Sequence, residues 1–215
     1  MQKINEPLNQ IEKHATADGN IHVLFQSENN GFSVLGCNKG VCGIERELPY
    51  RTLFFVLKGS LIIVDMEAYA WKVGKGEFIL LPKQMSICLH IAPDTRYIDI
   101  KTDELVSPER DLCNFQVHNF DDFPQAQKKE VVNRTILAGS HSVFMTMLLS
   151  KEAGVAQYAL PGKAMLFVME GSGELLYKKQ CHQIFEGQKR SLAKGGRFMI
   201  RANADLKVLL LITLV

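Results

Sequence analysis

"LPYRTLFFVLKGS" (residues 48–60) returns later in the chain as "LPGKAMLFVMEGS" (residues 160–172), at an offset of 112 residues. Further along, Gly76 pairs with Gly187 at an offset of 111 residues. A duplication followed by the deletion of one residue in a turn produces this small change of offset. The chain therefore carries two copies of one structural unit.

Both copies have the composition of β-strands. Their central stretches, "TLFFVLKGSLIIVDM" and "AMLFVMEGSGELLY", are rich in β-branched and aromatic residues and are interrupted by a Gly-Ser pair. Short strands with turns at intervals of about 8–12 residues are typical of an all-β sandwich or barrel. Ile4, Leu8 and Ile11 have a helical spacing, so we expect one short helix near the N-terminus.

The repeat predicts three segments along the chain. Residues 1–20 form a helical or irregular N-terminal segment, residues 21–112 a first barrel and residues 113–215 a second barrel. The stretch "DELVSPERDLCNFQ", which lies between the two copies, is polar and contains a Pro. Such a composition is typical of a linker.

The composition argues against nucleic-acid and membrane partners. Lys and Arg total 25 against 23 Asp and Glu, with no basic run, so direct nucleic-acid binding has no electrostatic basis. The longest apolar run, "VLLLITLV", is far shorter than the roughly 20 residues that span a bilayer. No signal peptide is visible, and the 5 scattered Cys form no CxxC pair. We therefore expect a cytoplasmic protein with free thiols.

The residues around the repeated glycines resemble the motifs of the cupins. The first cupin motif, GxxxxxHxHxxx(x)ExxxxxxG, ends on a Gly that matches Gly59 and Gly171. The second motif, GxxxxxPxGxxHxxxN, has a frame similar to Gly76 with Pro82 and to its counterpart at Gly187. The resemblance implies a bicupin, with two tandem jelly-roll barrels on one chain. The stretches "FFVLKGSLIIV" and "GEFILLP" of the first copy also resemble the sensor barrels of AraC-like regulators.

The resemblance also says where a cupin would hold its metal, through three His and one Glu. In the first copy these positions fall on Arg46, Leu48, Thr52 and Ile87, or on Glu45 and Glu47 in place of the first two if the spacer is one residue longer. In the second copy they fall on Tyr158, Leu160, Ala164 and Phe198, or on Gln157 and Ala159 in place of the first two. Leu, Ala and Phe offer no lone pair to a metal ion, so we expect no metal and no cofactor.

One metal hypothesis stays open for the first copy. Glu45 and Glu47 alternate on one face of a strand, and His90 lies near the last motif position in sequence. However, His90 is an odd number of residues from that position, which points to the opposite face of a regular strand. We therefore favour a solvated strand face for the two carboxylates and keep this trio as the fallback metal site.

A barrel interior without metal is a concave, mostly apolar place that suits one small ligand. The candidate ligand-binding residues are Arg46, Leu48, Thr52, Phe54, Trp71, Ile87, Tyr158 and Phe198. Arg46 is the most informative of them, because an arginine inside a barrel is costly unless it pairs with an anion. With the longer spacer, Arg46 would instead point to solvent. The aromatic residues of the second copy either line a pocket or fill that barrel completely.

Three functions from different classes follow. The favoured one is a metal-free small-molecule binding or sensing protein without its own DNA-binding domain, and the resemblance implies effectors such as sugars or small acids. The second is a cupin-type isomerase or epimerase with Tyr158 as the acid, or a metal-dependent enzyme with a displaced site. The third is a structural or oligomerisation protein. We expect a homodimer that associates through edge strands, and binding rather than catalysis.

Overall fold

The computed structural model describes residues 14–15, 21–26, 32–102, 115–119, 130–139 and 142–214, and these residues form strands and turns. The first eleven strands are β1 (His14–Ala15), β2 (Ile21–Gln26), β3 (Phe32–Cys37), β4 (Val41–Leu48), β5 (Arg51–Lys58), β6 (Ser60–Asp65), β7 (Ala70–Gly74), β8 (Glu77–Leu81), β9 (Met85–Ile91), β10 (Thr95–Thr102) and β11 (Val117–Asn119). The other nine are β12 (Val131–Ala138), β13 (Ser142–Leu149), β14 (Gly154–Ala159), β15 (Lys163–Glu170), β16 (Ser172–Tyr177), β17 (Gln180–Phe185), β18 (Lys189–Leu192), β19 (Arg197–Ala202) and β20 (Leu206–Thr213).

Strands β1–β11 belong to one compact unit, which we call the first barrel. Its larger sheet has the strand order β1-β2-β3-β10-β5-β8-β11, and its smaller sheet has the order β4-β9-β6-β7. The strand pairs are antiparallel. Side chains from both sheets, among them Phe54, Ile87 and Tyr97, meet in one apolar core. The first barrel thus has two sheets facing each other across a single interior.

Strands β12–β20 belong to the other compact unit, the second barrel. One of its sheets has the order β12-β13-β20-β15-β18, and the other has the order β14-β19-β16-β17. Its core is formed by apolar side chains of both sheets, including Met145, Leu166 and Phe198. The chain is therefore all-β, with two pairs of sheets that match the tandem barrels expected from the repeat.

The repeat reappears as matching strand registers. In the first barrel Asp99 of β10 lies opposite Phe54 of β5, and in the second barrel Leu210 of β20 lies opposite Leu166 of β15. Likewise, Arg46 lies opposite Ile87, as Tyr158 lies opposite Phe198. Each pair differs from its counterpart by the offsets of 112 and 111 found in the sequence. The two interiors can therefore be compared position by position.

The repeated glycines occupy turns that need them. Gly59 and Gly171 have φ angles of 80° and 79°, in the left-handed region that a residue without a Cβ adopts easily. A Cβ at Gly171 would also overlap the carbonyl oxygen of Asp205, and one at Gly59 would overlap the Thr95 side chain. The Gly-Ser pair in both copies thus marks a tight turn between two strands of different sheets.

Two predictions about segments need comment. The structure does not support the short N-terminal helix: Ile4, Leu8 and Ile11 lie outside the described residues, and His14–Ala15 pair with β2 as a strand. The boundary after residue 112 also falls outside them and stays a prediction, while β11 beyond it pairs with β8 of the first barrel. No helix long and apolar enough to cross a membrane occurs in the described ranges.

Candidate functional site

Arg46 points into the first barrel because of a bulge earlier in its strand. The register of β4 against β9 shifts between Val41 and Ile44, and Gly43 within that shift has a φ of 77°. An extra residue in a strand swaps the faces of all residues that follow it. Beyond the bulge, Arg46 shares a face with Leu48, which is in the core, while Glu45 and Glu47 are exposed.

Asp99 binds Arg46 inside the first barrel. The Arg46 Nη2 atom donates a hydrogen bond of 2.7 Å to Asp99 Oδ2, and the two side chains are 28% and 2% exposed. The guanidinium carbon also lies 5.8 Å from the ring centre of Phe54, which is the strand neighbour of Asp99. A charged pair thus lies on an otherwise apolar interior face, and only its arginine reaches solvent.

The Asp99 carboxylate is only half satisfied. Its Oδ1 atom is buried and has no hydrogen-bond partner among the described residues. A buried acceptor without a donor costs about 1–3 kcal/mol, and more when it carries charge. Folded proteins seldom retain such an atom without a reason such as a ligand, an ion or an ordered water. Asp99 Oδ1 is therefore an open position for a donor from outside the chain.

Tyr97 stands two residues before Asp99 on β10 and is part of the same core. Burial raises the pKa of its hydroxyl above the usual value, and the charge of Arg46 opposes only part of that shift. For Arg46, burial lowers the pKa, but the Asp99 charge together with Tyr97 outweighs burial and leaves the pKa above its usual value. The site thus keeps a neutral phenol beside a charged guanidinium at physiological pH.

The other residues predicted for the first barrel have different surroundings. Leu48, Phe54 and Ile87 are buried in the core that surrounds Arg46. Thr52 is buried too, but its hydroxyl donates to the backbone carbonyl of Tyr50. Trp71 packs at the edge of the same core and stacks on Phe115, with 5.6 Å between ring centres. The structure brings Arg46, Leu48, Phe54 and Ile87 together, whereas Thr52 and Trp71 have partners of their own.

The second barrel has an apolar interior at the equivalent positions. Tyr158, the counterpart of Arg46, packs 5.5 Å from Phe198 between ring centres, and its hydroxyl lies 3.8 Å from the sulfur of Met145. Leu210 replaces Asp99 and belongs to the core. Soft and aromatic side chains therefore occupy the place that the ion pair holds in the first barrel. No base approaches the Tyr158 hydroxyl among the contacts of the described residues.

The residues at the cupin metal positions do not fit a metal ion. Arg46 is a cation, Leu48 and Ile87 have no donor atoms, and the Thr52 hydroxyl is bonded to its own strand. His90 and the exposed carboxylates of β4 lie on the outer face, and His90 Nε2 is 3.7 Å from Cys88 Sγ. Within the described ranges, no group of three or more His, Cys, Asp or Glu is close enough to hold a metal ion.

Asp99 and Tyr97 are site residues that the sequence analysis missed. Asp99 is separated from Arg46 by 53 residues, so no local spacing links them. One signal was present, because "TRYIDI" places a single acid in the middle of a strand whose other central residues are apolar. An acid in a buried strand is rare unless it is paired.

Solved structures with the same fold are known from several bacteria. A cupin 2 conserved barrel domain protein from Leptotrichia buccalis matches 96% of this chain and 92% of its own, with 14% identity and a TM-score of 0.72. The protein Ylba from E. coli matches 97% and 89%, with 10% identity and a TM-score of 0.67. A salicylate 1,2-dioxygenase from Pseudoaminobacter salicylatoxidans matches 84% and 69%, with 10% identity and a TM-score of 0.62.

No protein-family model and no curated protein matches the chain. Identities of 10–14% to the solved structures establish the fold alone. Together with the two pairs of antiparallel sheets, they show that the protein has the cupin fold, repeated in tandem. The interior ion pair of the first barrel is what this chain adds to that fold.

Proposed function

We propose that the protein binds a small polar molecule inside its first barrel and that Arg46 and Asp99 hold it. The observation that carries this proposal is the unpartnered Oδ1 atom of Asp99, buried beside an arginine that is 28% exposed. One atom offers an acceptor and the other group offers donors, and Arg46 opens toward solvent. The second barrel serves as a scaffold in this proposal.

The comparison of the two barrels supports a binding role rather than a structural role for the pair. A buried ion pair is often no more stabilising than well-packed apolar residues of similar volume. The second barrel has the same strand register and uses Tyr158, Leu166 and Leu210 instead. The fold therefore does not need charge at these positions, and retaining it in the first barrel fits a function in recognition.

A binding protein is favoured over an enzyme by the chemistry of the residues present. The acid–base pair of a cupin-type epimerase would need a base beside Tyr158, whose hydroxyl instead faces the sulfur of Met145. The cupin metal positions are occupied by Arg46, Leu48, Thr52 and Ile87, and this set does not favour metal-dependent chemistry either.

Thermal unfolding of the full chain with a panel of small molecules tests the proposal. The panel contains amino acids, short carboxylates and polyols, each at 10 mM, on the wild type and on the double variant Arg46→Met/Asp99→Leu. We expect at least one class to raise the Tm of the wild type and to leave the double variant unchanged. Tyr158→Phe in the second barrel is the control and should respond like the wild type.

Two results would contradict the proposal. One is a panel in which no compound raises the Tm of the wild type. The other is a ligand whose effect is the same on the double variant as on the wild type, because binding would then be independent of Arg46 and Asp99. We also propose a cytoplasmic homodimer without direct nucleic-acid contacts, and light scattering of the purified chain tests the dimer.

A further inference from the structure

We infer that the ligand of the first barrel is a zwitterion, a small α-amino acid whose carboxylate binds Arg46 and whose ammonium group binds Asp99. This inference rests on the proposed function and specifies its ligand. It follows from the charges of the two side chains, from the hydrogen-bonding positions that they leave open, and from the apolar residues around them.

Charge balance is the first step. Arg46 and Asp99 are joined at 2.7 Å, so the pair as a whole is neutral. A ligand with one charge would leave that charge uncompensated beside a carboxylate that is 2% exposed, and uncompensated charge is costly at low dielectric. A zwitterion adds a positive and a negative group together, so each side chain gains a counter-charge and the site stays neutral.

Hydrogen-bonding geometry is the second step. A guanidinium has five N–H donors and pairs well with a carboxylate through two of them, while the bond to Asp99 uses one. Asp99 Oδ1 needs a donor, and an ammonium group provides a charge-assisted one. Because Arg46 and Asp99 touch, the ligand must present its acceptor and its donor on adjacent atoms. An α-amino acid has this arrangement.

The apolar surroundings are the third step. Leu48 lies two residues beyond Arg46 on the same face of β4, and Ile87 lies directly opposite Arg46 on β9. The Phe54 ring stands beneath the guanidinium. No other charged side chain belongs to this core, so the part of the ligand beyond its α-carbon meets apolar atoms. We therefore expect an amino acid with an apolar side chain.

Calorimetry on the full chain tests the inference with matched pairs of compounds. The amino acids are glycine, L-alanine, L-leucine and L-phenylalanine. Their partners without the amine are acetate, propionate, 4-methylpentanoate and 3-phenylpropionate, and 3-methylbutylamine is leucine without its carboxylate. We expect the tightest amino acid to bind at least tenfold more tightly than its own acid, and the amine to bind more weakly as well.

The variant Asp99→Asn sharpens the test because it keeps the size of the side chain and removes its charge. We expect it to reverse the preference, so that the deaminated acid binds more tightly than the amino acid. Tyr158→Phe should keep the wild-type preference. An acid that binds wild type as tightly as its amino acid overturns the zwitterion, as does a panel in which no amino acid binds. If binding of the acid is lost in Arg46→Met/Asp99→Leu, the proposed function stands although the zwitterion fails.

Discussion

Arg46 of β4 and Asp99 of β10 meet across the interior of the first barrel, with 2.7 Å between Nη2 and Oδ2. The two strands belong to different sheets, so this contact joins the two faces of the barrel. Since Asp99 is almost fully buried and Arg46 is not, the pair has one end in the core and one end toward solvent. Both the stability of this barrel and its binding chemistry depend on the pair.

Removing only the arginine should destabilise the protein strongly. Arg46→Met leaves Asp99 buried without its counter-charge, and we expect the free energy of unfolding to fall by about 3 kcal/mol. In Arg46→Met/Asp99→Leu both charges are gone, and we expect a value within about 1 kcal/mol of the wild type. Urea unfolding of the two variants measures this difference. Equal losses in both variants would contradict the prediction.

Alkaline pH should destabilise the protein through Tyr97. Its pKa in the folded chain is raised by burial above the value of about 10 that tyrosine has in the unfolded chain. The folded state therefore keeps the phenolic proton when the unfolded state has lost it. This contribution to stability is fully present below pH 10 and is lost as the pH rises from 10 toward the folded pKa, at about 1.4 kcal/mol per pH unit.

Urea unfolding at several pH values from 9 to 11.5 measures that slope, and Tyr97→Phe is the comparison. The variant lacks the phenol, so its stability should fall less steeply over the same range. Absorbance near 295 nm should also show that one tyrosine of the wild type ionises only on unfolding. The prediction fails if wild type and Tyr97→Phe have the same slope.

The fold could be predicted from the sequence because the decisive signal is long and repeated. The stretches that begin at Leu48 and Leu160 place a strand, a glycine turn and a second strand in both copies, and the registers of the two barrels agree with that alignment. Local patterns that occur twice constrain each other. The N-terminal helix had no such second copy, and a stripe of three residues was too weak a signal.

The orientation of Arg46 could not be predicted for a physical reason. Whether Arg46 or Glu45 faces the interior depends on a single extra residue in β4, and the bulge at Gly43 decides it. Asp99 was missed because its partner is distant in sequence and because the cupin motifs do not include its position. The site therefore depends on strand register and on a contact between two sheets, and local sequence patterns contain neither.

Gly171 and Gly187 should respond differently to the same substitution. Both have a φ of 79°, so alanine is strained at either position by about 1–2 kcal/mol. At Gly187 no atom lies near the added Cβ, whereas at Gly171 the Cβ would overlap the Asp205 carbonyl. We expect Gly187→Ala to lower the free energy of unfolding by about 1 kcal/mol and Gly171→Ala by at least twice as much. Similar losses measured by urea unfolding would contradict this account of the turn.

Arg190 of the second barrel should be dispensable for stability. It lies opposite Leu166, at the position that Ile79 holds in the first barrel opposite Phe54. Its side chain is 8% exposed, its Nε atom has no partner in the described part of the chain, and its two bonds go to the Lys189 carbonyl and the Gln188 side chain. Burial lowers the pKa of Arg190, which means that the charged form is disfavoured there.

Replacing Arg190 by the residue of the other barrel therefore should stabilise the protein. We expect Arg190→Ile to raise the free energy of unfolding by about 1 kcal/mol, because an unpaired buried charge is exchanged for an apolar side chain. The reciprocal variant Ile79→Arg should lower it, since it places an unpaired charge in the first barrel. Urea unfolding in a buffer without phosphate or sulfate compares both with wild type. A loss of stability in Arg190→Ile would mean that the guanidinium has a favourable partner in solution, and repeating the measurement with added phosphate would identify an anion as that partner.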